Sequence, residues 1–129
     1  MMLLLLALQA SPAAVAPPAA ETVLTLSEVG LHKGRWPFIG YYPERAQRTG
    51  VSAQTSAVCR VAAAGVLADC VLEGFEPKGY GFDEATLKLL ADARTDAATR
   101  SGQPTEGRQL RVALTFKVRR GGSTQVLAR

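Results

Sequence analysis

Two cysteines, one histidine and a pair of adjacent carboxylates are the residues of this chain that invite chemistry. Cys59 and Cys70 are the only cysteines, and His32 is the only histidine. Two thiols cannot build a structural zinc centre unaided, and His32 stands far off in sequence. The ten residues between the cysteines exclude the Cys-x-x-Cys redox spacing. His32 lies in a segment without pattern, so no nucleophile, base and orienting acid assemble around it. Asp83-Glu84 stands where a helix should begin, and the helix dipole attracts acids there. Gly79-Tyr80-Gly81 lacks the further glycine and the preceding strand of a phosphate-cradling loop. No cluster of Asp, Glu and His has metal-ligand spacing. The expectation is a non-enzymatic binding module with no cofactor and no metal; a Cys-dependent redox enzyme is the enzymatic alternative.

The elements that must position these side chains fit one domain. The chain has 129 residues, 47% of them hydrophobic and 20% charged, close to globular averages, which argues against wholesale disorder. Aromatics are only 6%, so the core must draw mostly on Val, Leu and Ala. Fifteen basic and eleven acidic residues give a net charge of +4. Lys and Arg form no block: Arg119-Arg120 and the arginines scattered from Arg94 to Arg111 read as solvated faces, so nucleic acid is not an expected partner.

Residues 1–20 carry no charged side chain. Leu3–Leu8 is an apolar run of signal-peptide type, too short for the ~20 apolar residues that span a bilayer. Ala14-Val15-Ala16 has the small-x-small form of a cleavage site, although Pro17 follows it; cleavage after Ala10 or Ala13 is equally arguable. The expectation is an exported chain with no stable membrane span. In an oxidising compartment the lone cysteine pair is most simply a disulfide.

Val23–Val29 is expected as a short strand. Four of the eight aromatics, Trp36, Phe38, Tyr41 and Tyr42, fall within seven residues and read as a packing cap over a sheet. Tyr42-Pro43-Glu44 starts a short helix, with proline at its first position, and Gly50 ends it. Val51–Glu73 alternates with period 2 around Ala64-Gly65, the pattern of a hairpin. With Ala64-Gly65 as a two-residue loop, Cys59 faces Cys70 on one side of the sheet. A longer loop would move the pair to a diagonal or to opposite faces. Asp83 is the expected N-cap of a helix over Glu84–Thr95, with Phe82, Ala85, Leu89, Leu90 and Ala93 as its apolar stripe. Arg100–Arg108 reads as a polar connector. Leu110, Val112, Leu114, Phe116 and Val118 alternate with Arg111, Ala113, Thr115 and Lys117 in the clearest strand of the chain. Gly121-Gly122 permits a tight turn, and Ser123–Leu127 folds back as a short edge strand. The expected fold is α+β, a two-layer domain with a small antiparallel sheet packed on one long helix, plus a short N-terminal helix.

The order and spacing of these elements from Tyr42 to Val118 resemble the carboxy-terminal domain of TonB, the periplasmic energy transducer of Gram-negative bacteria. The resemblance is carried by Tyr42-Pro43-Glu44-Arg45-Ala46-Gln47-Arg48-Thr49-Gly50, the hairpin turning at Gly65, Gly81-Phe82-Asp83-Glu84-Ala85-Thr86-Leu87, Ala98–Pro104 and the strand Leu110–Val118. Cys59, Gly65, Cys70, Glu76-Pro77, Gly79 and Gly81-Phe82 resemble a paired-cysteine subgroup. The resemblance implies three segments: a leader at 1–20, an N-terminal extension at 21–40 and the TonB-like domain at 41–129. It implies a periplasmic module that takes up an extended peptide of an outer-membrane TonB-dependent receptor as an added strand. The receiving edge would be Leu110, Arg111, Val112, Ala113, Leu114, Thr115, Phe116, Lys117 and Val118, with Ser123–Leu127 moved aside and Arg111, Thr115 and Lys117 facing outward to tune selectivity. The alternative is an envelope structural domain that forms a homodimer through the same edge. Two departures stand out. The family's aromatic segment after the long helix reads here Ala93-Arg94-Thr95-Asp96-Ala97, which should weaken helix-to-sheet packing. TonB proper also has a membrane anchor and a Pro-rich spacer, so this chain is expected to act as an adaptor or a competitor of a full transducer.

Overall fold

The computed structural model describes residues 22–129; the expected leader at 1–20 lies outside the described residues. The elements run β1 (Leu31–His32), α1 (Glu44–Thr49), β2 (Ala53–Val61), β3 (Leu67–Glu76), α2 (Phe82–Asp92), β4 (Arg94–Thr95), β5 (Gln109–Val118) and β6 (Thr124–Ala128). β3, β2, β5 and β6 lie in that order in one antiparallel sheet, and β1 pairs with β4 in a separate two-stranded ribbon. The fold is α+β, with antiparallel sheets and two helices.

Alternation in sequence becomes alternation in burial. In β2, Ala53, Thr55, Ala57, Cys59 and Val61 are buried, and in β5 Leu110, Val112, Leu114 and Phe116 are buried. These residues share one face because side chains two apart on a strand point the same way. The opposite face carries Gln54, Ser56, Arg60, Arg111 and Lys117. α2 packs on β2 and β3 through Phe82, Ala85, Thr86, Leu89 and Leu90, all buried. Tyr42 joins the two layers of apolar side chains, its ring edge-on to Phe82 at 5.6 Å and to Phe116 at 5.8 Å. The chain has few aromatics, yet it concentrates them at the centre of the core, where each ring buries most area. Burial pushes the Tyr42 phenol up to about 12.

The short helix forms where the sequence places it. Gly50 closes α1 in the left-handed conformation at φ 71°, and the Val51 N–H reaches back to Ala46 O at 2.8 Å. Pro43 sits one residue earlier than expected, at the N-cap. The N-cap of α2 is corrected from Asp83 to Gly81, which takes φ 91°. Asp83 instead lies inside the first turn with Glu84, where its charge still suits the dipole. α2 also ends at Asp92 and not Thr95, because Ala93 turns extended and Arg94-Thr95 pair with His32 and Leu31.

The hairpin also differs from its expected register. Its turn is a 3-10 turn at Ala63–Gly65, and Val61 pairs with Leu67, one residue out of the expected alignment. Asp69, at φ 51°, takes up the extra residue as a bulge. Val58 then pairs with Val71, and Cys59 and Cys70 come together in a disulfide. The expected bond therefore forms by a different route: a slipped turn and a compensating bulge.

The segment 22–40, expected as an extension, contributes two buried residues to the core. Leu24 and Val29 are buried, and only Leu24 of the expected Val23–Val29 strand makes a bridge. Trp36 donates its indole N–H to Leu89 O at 2.7 Å, so an aromatic lies against the end of α2 after all, supplied from upstream. Arg35 fixes the same end through its backbone N–H and guanidinium to the Asp92 carboxylate. That pairing, the backbone bond first, holds the Asp92 carboxyl below its usual range. The connector at 100–108 is more buried than its polarity suggests: Thr105 and Arg108 are buried, and Thr105 donates its hydroxyl to Asp96 O.

Candidate functional site

A four-stranded sheet has two edges, and they are built differently. β3 forms one. Its ten residues are interrupted by two register shifts, one at Asp69 and one between Leu72 and Gly74, and the disulfide fixes it to β2. Asp69, Glu73 and Glu76 place acids along it. Bulges and charges of this kind blunt an edge against further pairing. Val71, 66% exposed, is the apolar side chain it leaves in water.

β6 forms the other edge. It is five residues long and lies at the end of the described chain, beyond Gly121 and Gly122, both at positive φ. It pairs with the second half of β5, from Val118↔Thr124 to Leu114↔Ala128, and Ala113 and Arg129 exchange both backbone bonds at 2.8 Å. Four further contacts hold it and the turn before it. Val126 is buried, Tyr41 donates its hydroxyl to Thr124 Oγ1 at 2.9 Å, Arg119 donates its guanidinium to Gln125 Oε1 at 2.8 Å, and Gln47 Nε2 donates to Gly122 O at 3.1 Å. Each such hydrogen bond contributes about 1 kcal/mol net.

Between the edges lies β5, the strand expected to receive a peptide. It is interior and not an edge. β2 flanks it from Gln109 to Phe116, and β6 covers the other side from Leu114 to Val118. Leu110, Val112, Leu114 and Phe116 point into the core, whereas Arg111 and Lys117 are exposed and Ala113, Thr115 and Val118 half-buried. The structure thus places all nine residues on one strand, but its outer backbone groups are already taken.

On the open face, Arg111 is not a free selector. Its guanidinium donates to both oxygens of Glu73 at 2.7 Å across the intervening strand, and Ser56 Oγ donates to Glu73 at 3.1 Å. The Arg111 bond holds the Glu73 carboxyl below its usual range. Periodicity could place Glu73 on this face but not opposite Arg111, because the second shift in β3 sets that pairing. A trough of about 530 Å³ beside the pair is lined by Gln54, Ser56, Glu73, Thr115 and Arg129, among others. Cys59 and Cys70 meet in the disulfide, whereas His32 pairs with Asp96 on the surface. Among the described residues, no three His, Cys, Asp or Glu side chains converge on a point that could hold a metal ion. No described helix is long and apolar enough to cross a membrane.

The sheet order, the helix between β3 and β5, and the strand that returns after β5 define a small α+β domain. Residues 40–118 match the family described as Gram-negative bacterial TonB protein C-terminal. The chain belongs to that family, and the paired cysteines that mark the resemblance are joined. No curated relative matches the chain. The family ties the domain to transport across the Gram-negative envelope; its members are non-enzymatic transducing and binding modules, typically periplasmic.

Proposed function

We propose that this chain is an exported periplasmic module that takes up an extended peptide of an outer-membrane receptor as an added strand on β5. The observation that carries this reading is the construction of β6. It is short, lies beyond two glycines and has no covalent tie, so it is the element of the sheet that can leave at least cost. Its departure would free the outward N–H and C=O groups of β5 over Leu114–Val118. Backbone bonds would then give affinity, and Thr115 and Lys117 on the open face would tune selectivity. Residues 1–20 would direct export.

Titration of isotope-labelled protein with synthetic plug peptides of TonB-dependent receptors tests this. The expected result is saturable shifts of the Leu114–Val118 amides together with loss of the β6 cross-strand contacts. Absence of any shift at millimolar peptide would overturn it. A concentration-dependent shift of the same amides without peptide, matched by a dimer in sedimentation, would instead make a second copy of this chain the occupant.

A further inference from the structure

β6 covers only part of the outer side of β5. At the other end a second piece of the chain does the same work. Leu24 donates its N–H to Gln109 O and accepts from the Arg111 N–H, both at 2.8 Å, in a parallel bridge to Leu110. Its side chain is 2% exposed, so it is seated in the core as well as on the edge. The carbonyls around it are held by two arginines from the connector after α2. Arg108 donates to Thr22 O at 3.3 Å, and Arg100 donates its guanidinium to Leu26 O and Ser27 O and its backbone N–H to Glu28 O. Segment and β6 meet along β5 with Arg111 bonded to one and Ala113 to the other. The outer side of β5 is therefore covered by two pieces of the chain, an isolated parallel bridge at Leu24 and the antiparallel strand β6.

We propose that Thr22–Leu26 is a self-occupant of the receiving strand: an autoinhibitory strap that an incoming peptide must displace to pair with β5 over Gln109–Arg111. This rests on the reading that β5 receives the peptide. The strap also shows what that half of the edge accepts, an extended segment parallel to β5 with an aliphatic side chain at the position of Leu24. One residue makes the bridge, and of the two arginines on the flanking carbonyls Arg108 is buried and Arg100 is exposed, so Arg100 is the hold that can be loosened without touching the core. When the competent state is only a fraction of the population, apparent affinity falls by that fraction, so loosening the strap raises affinity with no change at the site itself.

The probe is a fluorescent peptide with the sequence of Thr22–Val29, titrated into the whole chain and into Arg100→Gln, Leu24→Ala and the double variant. Anisotropy reads binding, and amide shifts report where. The expected result is weakest binding by the unaltered chain, tighter binding by each variant and a gain of roughly tenfold or more in the double variant, with shifts at Gln109–Arg111. Equal affinity across the set would overturn the proposal, as would shifts that leave Gln109–Arg111 unmoved. Should Leu24→Ala fail to fold, Arg100→Gln decides alone, since it removes only surface bonds to the strap. The readout is separate from that of the receptor peptides, which is at Leu114–Val118, so failure of the strap is told apart from failure of the reading it rests on.

Discussion

The two edges of the sheet bind their last strand by different means. β3 is crosslinked to β2, bulged twice and rooted in a turn that only glycine fits. β6 is held by backbone bonds, one buried valine and three side-chain hydrogen bonds to it and its turn. The difference teaches which way the sheet can open. In the reading proposed above, the ten crosslinked residues of β3 stay and the five residues of β6 beyond a pair of glycines leave, on opposite sides of the same β2–β5 pair.

The largest effect should come from the root of the fixed edge. Gly65 takes φ +76°, and a Cβ there would stand 2.2 Å from the Thr95 carbonyl oxygen. Gly65→Ala should lose about 3 kcal/mol in urea unfolding, through strain and displacement of β4. A loss under about 0.5 kcal/mol would mean the turn is softer than described.

Next comes alkaline pH, which acts on the centre that both edges share. The Tyr42 phenol is raised from 10.0 to about 12 by burial, so the folded state holds its proton more tightly than the unfolded state. Its contribution is complete below pH 10.0 and is lost as pH rises through about 12. The loss should approach about 2 kcal/mol and vanish in Tyr42→Phe. Absorbance titration should show a late-ionising phenol that is lost in Tyr42→Phe; identical high-pH titration of the two proteins would remove the effect.

The crosslink should matter about as much. Cys59→Ala with Cys70→Ala closes no loop in the unfolded chain and should cost about 2–3 kcal/mol. Hydrogen exchange should then rise in β3 while β6 changes little. Equal loosening of both edges would mean that the bond stabilises the whole sheet without pinning one side.

The smallest effects belong to β6. Val126→Ala should cost about 1–2 kcal/mol, and Tyr41→Phe about 1 kcal/mol by removing the bond to Thr124. Both should speed exchange in β6 with β3 unmoved. Receptor-peptide affinity should rise in the same order, and a fall would contradict the displacement of β6.

Much of this architecture is legible in the sequence where local rules decide. Period 2 marks β2, β3 and β5; Gly50 marks the end of α1, and the stripe from Phe82 to Ala93 marks the buried face of α2. Register is less legible. The bulge at Asp69 needs a positive φ in a residue that gives no local warning, and it alone brings Cys70 back opposite Cys59. The covering of β5 could be read at one end only. Gly121-Gly122 announces the return of β6, but Leu24 pairs with a strand far along the chain, and no local pattern records a single parallel bridge. The connector is polar and mostly exposed as its sequence reads, but two of its residues are not: Thr105 donates to Asp96 O and Arg108 to Thr22 O, while Arg108 Nε is buried without a partner, and no local pattern marks either position.

Amide hydrogen exchange on the unmodified protein tests the unequal edges most directly. The backbone bonds between β6 and β5, including Arg129 N–H to Ala113 O, are expected to open at least about a hundredfold more often than those between β3 and β2. Equal protection on the two sides of the sheet would contradict the assignment of β6 as the strand that leaves.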